Sequence, residues 1–281
     1  MKKFMGLFLS LFLLCLILVG CSKNNVSNVA TSDNKSEEIK KFVVGFDAEY
    51  PPYGYLSEDG KSYEGFDLDI AKEFCKRAGY EFVPQPIDWD SKDLELNSGN
   101  IDCIWNGFTM TGRENNYTWS FPYVDNSIVF IVKNDSDIVS KKDLANKTVI
   151  TQAGSSALAA LTNEDEPENI KLAATFKSLE QCADFNTAFM NLETGLVDAI
   201  VVDIGVAKYQ LKNNPGKYRE LDEKLSLEQY AIGFKLGNES LRDEVEKVIT
   251  EMWKDGTFMN IANKYTDFSL PDSVCLGNYI K

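Results

Sequence analysis

The stretch Ile101-Asp102-Cys103-Ile104-Trp105-Asn106-Gly107-Phe108-Thr109-Met110-Thr111-Gly112-Arg113 decides how the chain is read. Its first five residues are short, mostly apolar and led by a β-branched residue, the pattern of a buried strand. Asn106 and Gly107 end that strand. Thr109 and Thr111 then bring hydroxyls and backbone N–H groups, and Arg113 brings a planar fork that matches a carboxylate through two parallel hydrogen bonds. Open α/β sheets bind ligands where strands run out into small, polar, donor-rich residues, so this stretch is the expected ligand loop.

The same unit recurs 96 residues further on. Glu95-Leu96-Asn97-Ser98-Gly99-Asn100-Ile101-Asp102-Cys103-Ile104 and Asn191-Leu192-Glu193-Thr194-Gly195-Leu196-Val197-Asp198-Ala199-Ile200 both read as helix end, glycine break and Asp-led apolar strand. At this offset Gly107 falls on Asp203. One half of the chain therefore delivers a cation and hydroxyls, and the other delivers a carboxylate. An α-amino acid carries the complementary pair on one carbon. Arg and Asp are also ordinary surface residues; what singles out Arg113 and Asp203 is their matched place after a repeated unit.

Composition bounds the alternatives. The chain has 281 residues, 44% of them apolar, enough for one large or two medium domains. A formal charge of −14 argues against nucleic-acid binding, which needs clustered Lys and Arg. There is no histidine, which removes Ser-His-Asp and Cys-His nucleophiles and the commonest metal ligand. The six cysteines show no metal spacing, and no cofactor motif is present. Cys75 and Cys103 read as small buried residues; Cys182 and Cys275 could pair, with free thiols the expected state.

Met1 to Cys21 reads as an export signal, with Lys2 and Lys3 ahead of an uncharged run to Gly20. A plain signal-anchor helix is the alternative. Ser22 to Ile39 is polar and aperiodic, the composition of a tether. A strand is expected at Lys41–Phe46. It ends in Asp47-Ala48-Glu49-Tyr50-Pro51-Pro52-Tyr53, where two prolines stiffen a loop presenting Asp47, Tyr50 and Tyr53. A helix follows from Phe66 to Gly79, with Asp67 as its N-cap, then a strand at Glu81–Val83 and a short helix near Leu94. This β-α-β-α-β run predicts a parallel sheet.

A change of lobe is placed near Tyr123 to Ser127, ahead of an apolar strand at Ser127–Val132. Strands are expected at Lys147–Thr151, Lys171–Phe176, Ala199–Val202 and Tyr230–Lys235. Helices are expected from Ala157, over Ser178–Thr194 with a Ser178-x-x-Gln181 capping box, over Ser240–Asp255 and over Phe258–Tyr265. The helix opening after Gln152-Ala153-Gly154-Ser155-Ser156 offers free N–H groups to a single carboxylate.

Six motifs carry a family resemblance: Tyr50-Pro51-Pro52-Tyr53, Gly65-Phe66-Asp67-Leu68-Asp69-Ile70-Ala71, Ser98-Gly99-Asn100-Ile101-Asp102, Gly107-Phe108-Thr109-Met110-Thr111, Trp119-Ser120-Phe121-Pro122-Tyr123 and Gln152-Ala153-Gly154-Ser155. In this order over residues 41–270 the chain resembles the extracytoplasmic polar-amino-acid-binding proteins of ABC importers, family 3 of the bacterial extracellular solute-binding proteins. The resemblance implies a two-lobed α/β architecture, the type II periplasmic-binding-protein fold, each lobe a mostly parallel sheet flanked by helices and joined by two crossing strands. Lobe 1 would comprise 41–123 plus 232–281, and lobe 2 residues 124–231. It also implies a carboxylate clamp at Arg113 with the backbone of Thr109 and Ser156. The ammonium would meet Asp203, the Gly107 carbonyl and the Thr109 hydroxyl, with Tyr50 as the stacking ring and Asp47 against the ligand side chain. Tyr53, Trp89, Asn106, Phe108 and Ser155 complete the expected lining.

Leu18-Val19-Gly20-Cys21 resembles a lipobox. That implies cleavage before Cys21, acylation of its sulfur, residues 21–40 as a lipidated tether and a place on the outer face of the bacterial cytoplasmic membrane. A membrane permease is the implied partner, and a monomer the expected state. Only Gly112 separates Thr111 from Arg113, where the family usually has two residues; the role of Thr111 is open for that reason. Two rivals remain: a dehydratase-like enzyme on the same scaffold, using Glu49, Asp88 or Asp90, and a ligand-sensing domain. Asp47, Glu49, Asp88 and Asp90 hint at a polar or cationic ligand side chain.

Overall fold

A computed structural model describes residues 39–280. The export signal, Cys21 and nearly all of the tether lie outside the described residues. The predicted β-α-β-α-β run forms the first sheet. Lys41–Phe46 pairs in parallel with Glu81–Pro86 on one side and Cys103–Ile104 on the other. Between them run the helices Phe66–Ala78 and Lys92–Ser98. Gly233–Phe234 and Thr118–Trp119 complete this sheet antiparallel.

The second sheet repeats the plan. Thr148–Gln152 lies between Ser178–Cys182 and Ala199–Asp203, all parallel. Val124–Lys133 pairs antiparallel with Ala199–Asp203, and Tyr218–Glu220 and Ser226–Tyr230 pair with it in turn. The chain therefore crosses between the sheets twice, after Trp119 and after Tyr230. The crossings run side by side: the Tyr123 N–H donates to the Tyr230 carbonyl at 2.9 Å and the Ser120 N–H to the Ile232 carbonyl at 3.0 Å. Gly233–Phe234 returns to the first sheet, so the single strand expected over Tyr230–Lys235 is two short strands on either side of the crossing.

Local chemistry explains the main elements. Helix Phe66–Ala78 buries Phe66, Leu68, Ile70, Ala71, Phe74 and Cys75 on one face and ends at Gly79 in the left-handed conformation, whose N–H bonds the Cys75 carbonyl. Gly65 precedes it at φ 139°, and a Cβ there would sit 2.2 Å from the Tyr53 carbonyl oxygen; only glycine fits. Asp67 is not the N-cap. It lies inside the first turn, fully buried, and turns towards the sheet, where the Gly107 N–H and the Tyr123 hydroxyl at 2.9 Å donate to it.

The repeated unit is visible in three dimensions. Gly99 and Gly195 both take left-handed φ values, 82° and 78°, and both end their helices by donating to carbonyls three and four residues back.

Three sequence expectations fail, two in the second lobe and one in the C-terminal segment of the first. Lys171–Phe176 is no strand: Pro167 opens a helix, Pro167–Ala173, that runs through its first half. Ser178–Thr194 divides into the edge strand Ser178–Cys182 and the helix Phe185–Thr194, capped by Asp184 accepting from the Thr187 N–H at 2.7 Å. A half-exposed polar edge strand carries the same composition as a helix start, and the capping-box pattern does not separate them. The helix expected over Phe258–Tyr265 ends at Ala262 and continues as a 3-10 turn. The amphipathic segment near the C-terminus is helical as expected, Glu239–Lys254, burying Val245, Val248, Ile249 and Met252. All four described cysteines are free, Cys182 and Cys275 included.

Candidate ligand-binding site

Both sheets end their parallel strands at a common cleft. From the first come Tyr50, Trp89, Gly107, Thr109 and Arg113; from the second come Gln152, Ser155, Ser156 and Asp203. The cleft is shut to a volume of ≈ 10 Å³, about the room one water needs. Contacts across it hold it closed. The Gln152 Nε2 donates to Asp47 Oδ2 at 2.6 Å, and Lys92 Nζ and Arg113 Nη2 both donate to the Gly154 carbonyl, at 3.2 and 3.3 Å. The Asn186 amide reaches Glu49 at the rim.

The carboxylate of Asp203 ends the strand Ala199–Asp203 and is 2% exposed. Its Oδ1 accepts from the Tyr230 hydroxyl at 2.6 Å and from Asn126 Nδ2 at 2.8 Å. Burial pushes its carboxyl above the usual range, against those hydrogen bonds. Asn126 Nδ2 also donates to Glu228 Oε1 at 2.7 Å. The same oxygen accepts from the Thr109 hydroxyl at 2.6 Å and the Ser156 hydroxyl at 3.2 Å. Burial, then the neighbouring Asp203 charge, raises Glu228 to about 7.

Arg113 lines the cleft from the first lobe and shares an adjoining groove with Ser156 and Glu228. Its Nη1 donates to the Thr109 carbonyl at 3.3 Å, and its guanidinium sits 5.4 Å from the centre of the Phe108 ring. No carboxylate of a described residue lies within ion-pair distance of it or of Lys92. Lys92 is 5% exposed. Burial, and then Arg113, lower its ammonium pKa. Ser155 caps the facing helix, its hydroxyl accepting from the Leu158 N–H at 3.1 Å, and the helix begins one residue earlier than expected, at Ser156.

Of the residues expected to touch ligand, Tyr50, Trp89, Gly107, Thr109, Arg113, Ser155, Ser156 and Asp203 line the cleft together. Four others stand behind the lining. Asp47 faces Gln152 rather than the cleft, and burial raises it to about 6. Asn106 accepts from the Asp47 N–H at 3.0 Å and fixes that loop. Tyr53 packs edge-on to Tyr230 at 5.2 Å, and Phe108 edge-on to Trp89 at 5.5 Å. Thr111 accepts from the Gln229 N–H at 3.1 Å, outside the cleft. Glu49 and Asp88 likewise accept hydrogen bonds, from Asn186 and from the Asp90 N–H, and none of Asp47, Glu49, Asp88 and Asp90, the acids that hint at a cationic ligand side chain, is among the residues lining the closed cleft. Gln152, Asn126, Glu228 and Tyr230 were not foreseen. Gln152 opens a motif already quoted; Asn126, Glu228 and Tyr230 sit on strands whose spacing gives no sign of them.

Two α/β lobes hinged on paired crossing strands, closing on a polar cleft lined from both sides, are the type II periplasmic-binding-protein fold. Residues 42–268 match the family described as bacterial extracellular solute-binding proteins, family 3. The L-cystine-binding protein TcyJ of Escherichia coli is 30% identical over 237 residues, covering 83% of this chain and 85% of that one. The arginine-binding extracellular protein ArtP of Bacillus subtilis is 28% identical over 90% of this chain and 96% of its own. Among solved structures, an ABC uptake transporter substrate-binding protein from Streptococcus pneumoniae with bound histidine superposes with a TM-score of 0.75 at 33% identity, over 80% of this chain and 92% of that one. This chain belongs to family 3 of the bacterial extracellular solute-binding proteins, a family of binders rather than enzymes.

Proposed function

We propose that this protein captures a free amino acid outside the cytoplasm and hands it to the permease of an ABC importer. The observation that carries the reading is the placing of Arg113 and Asp203 in one closed cleft, a cation from one lobe and a carboxylate from the other. Arg113, with the N–H groups of Thr109 and Ser156, takes the ligand carboxylate. Asp203, the Gly107 carbonyl and the Thr109 hydroxyl take the ammonium. The rings of Tyr50 and Trp89 flank the side chain. The names of the relatives, which bind cystine, arginine or histidine, support an amino-acid ligand.

An amino acid cannot enter a space of ≈ 10 Å³, so the lobes part to admit it, turning on the crossings at 120–124 and 230–233. Closure then dries the site, which strengthens both charge contacts. A ligand that bridges both lobes binds the closed form better and shifts the population towards it; the permease reads that form. The lobe boundaries are those of the crossings, 41–123 plus 232–281 and 124–231. Acylation at Cys21, with residues 22–39 as tether, holds the domain at the outer face of the membrane, and two acyl chains suffice where one is marginal. Among the described residues no helix is long and apolar enough to cross a membrane.

Mass spectrometry of small molecules released from the purified, denatured protein tests the reading. An amino acid released in proportion to protein is expected; a sugar, metal chelate or cyclic acid would contradict it.

A further inference from the structure

The buried pair Asp203 and Glu228 has a consequence for how the ligand head is held. The two acids come from different strands, Ala199–Asp203 and Ser226–Tyr230, both paired with Val124–Lys133. Asn126, from that shared neighbour, divides one Nδ2 between them at 2.8 and 2.7 Å. Every hydrogen bond that described residues give this pair falls on one oxygen of each: Tyr230 and Asn126 on Asp203 Oδ1; Thr109, Asn126 and Ser156 on Glu228 Oε1. No hydrogen bond from them falls on Asp203 Oδ2 or Glu228 Oε2, although the Tyr50 hydroxyl, bonded to that of Tyr230, lies near enough to Asp203 to favour its ionised form. The buried Asn126 Oδ1 also lacks a partner. Two acids this close in a dry site do not both stay ionised without a cation between them. Arg113 lines a groove together with Glu228 and its charge favours the ionised form of Glu228, yet it makes no ion pair with either acid. The other titratable groups facing the pair, the phenols of Tyr50, Tyr53 and Tyr230, are neutral at any physiological pH, their pKa values raised by burial.

We propose that Glu228 is a second ammonium-binding carboxylate beside Asp203, and that one proton occupies the pair until the ligand's ammonium displaces it to solvent. This rests on the head-group reading above and deepens it. The ammonium supplies both the charge and the N–H donors that the two unpaired oxygens lack. Glu228 near 7 places the exchange in the neutral range. The site therefore selects an unsubstituted primary ammonium, and each binding event releases up to one proton.

The test is isothermal titration of the full chain, in mild detergent, with each of the twenty proteinogenic L-amino acids and L-cystine. It is run at one pH near neutrality in buffers of different ionisation enthalpy, then repeated with the tightest-binding of those amino acids from pH 5.5 to 8. Proton release on binding is expected, with affinity rising up to about tenfold per pH unit below about 7 and levelling above it. Glu228→Gln, shown folded by its melting transition, is expected to abolish the release, flatten the profile and weaken binding at pH 8 by about tenfold or more. No proton release from the unaltered chain overturns the proposal without any variant. So does Glu228→Gln that weakens binding but keeps the release, which is what a merely structural role would do. Asp203→Asn separates the two readings. If it leaves affinity intact, or if no member of the panel binds, the head-group reading itself fails; if it abolishes binding while Glu228→Gln changes neither affinity nor proton count, only the present proposal fails.

Discussion

Asp102 and Asp198 perform the same task 96 residues apart: each accepts the N–H of a residue in the neighbouring parallel strand, Val43 and Thr148 respectively, both at 2.7 Å. Each follows a left-handed glycine that ends a helix, and each precedes the strand that carries one lobe's contribution to the cleft. The aspartates are therefore registration pins, setting where those strands stop and so where Gly107 and Asp203 stand.

Asp102→Ala leaves the Val43 N–H, on a largely buried strand, without its acceptor. A loss of about 1–3 kcal/mol is expected in urea unfolding, the cost of an unsatisfied buried donor. Asp198→Ala should cost less, because its carboxylate is exposed. The pair lies in different sheets with no shared partner, so the double variant should equal the sum to within about 0.5 kcal/mol.

Gly65→Ala meets two obstacles at once, a φ of 139° and a carbonyl oxygen 2.2 Å from the new Cβ. The backbone conformation alone costs about 1–3 kcal/mol for a residue with a side chain, and the clash adds to it. A clear fall in melting temperature is expected. Gly79→Ala, left-handed but with open space around its Cβ, should lower it less.

Stability should fall as pH rises through the neutral range. Burial raises Asp47 to about 6 and Asp67 and Glu228 to about 7. The folded state thus holds protons that the unfolded chain has released, and the stability of a group with a raised folded pKa is present below its unfolded value and lost through the folded one. The window is from about 4 to 7, so the urea midpoint at pH 5.5 should exceed that at pH 8. Asp67→Asn keeps an acceptor for the Gly107 N–H and should flatten the slope. A midpoint that rises with pH would mean these acids are ionised in the fold.

Gln152→Ala removes a direct bond between the lobes and leaves Asp47 buried with one partner fewer. Fluorescence energy transfer between dyes on the two lobes should report more open molecules, and ligand affinity should drop by about threefold to tenfold, the worth of one such hydrogen bond.

Much of this was legible in the chain itself, and the reasons differ by residue. The repeated helix–glycine–Asp–strand unit announced both halves of the cleft because a left-handed glycine and a strand-pinning aspartate leave local signatures. Asp203 follows from that offset, and Arg113 from the donor-rich residues after the first strand. Asp67 was misread because an acid in a first turn looks alike whether it caps the helix or turns inward to Gly107. Ser178–Cys182 was misread because an edge strand is as polar as a helix start. Glu228 and Asn126 left no local sign; their role arises only where three strands from distant parts of the sequence meet. Asp47 was placed in the right loop, yet nothing in a loop's sequence tells a ligand contact from a contact across to the other lobe.

The most direct measurement is the affinity of Arg113→Ala and Asp203→Asn for the amino acid that binds the unaltered protein most tightly. Each substitution removes one buried, hydrogen-bonded charge contact, about 2–5 kcal/mol, so losses of about thirtyfold or more are expected from both, with the melting temperature of the Arg113→Ala protein little changed. Wild-type affinity in Arg113→Ala would contradict the account, because the carboxylate of the ligand would then be held by something other than this cleft's cation.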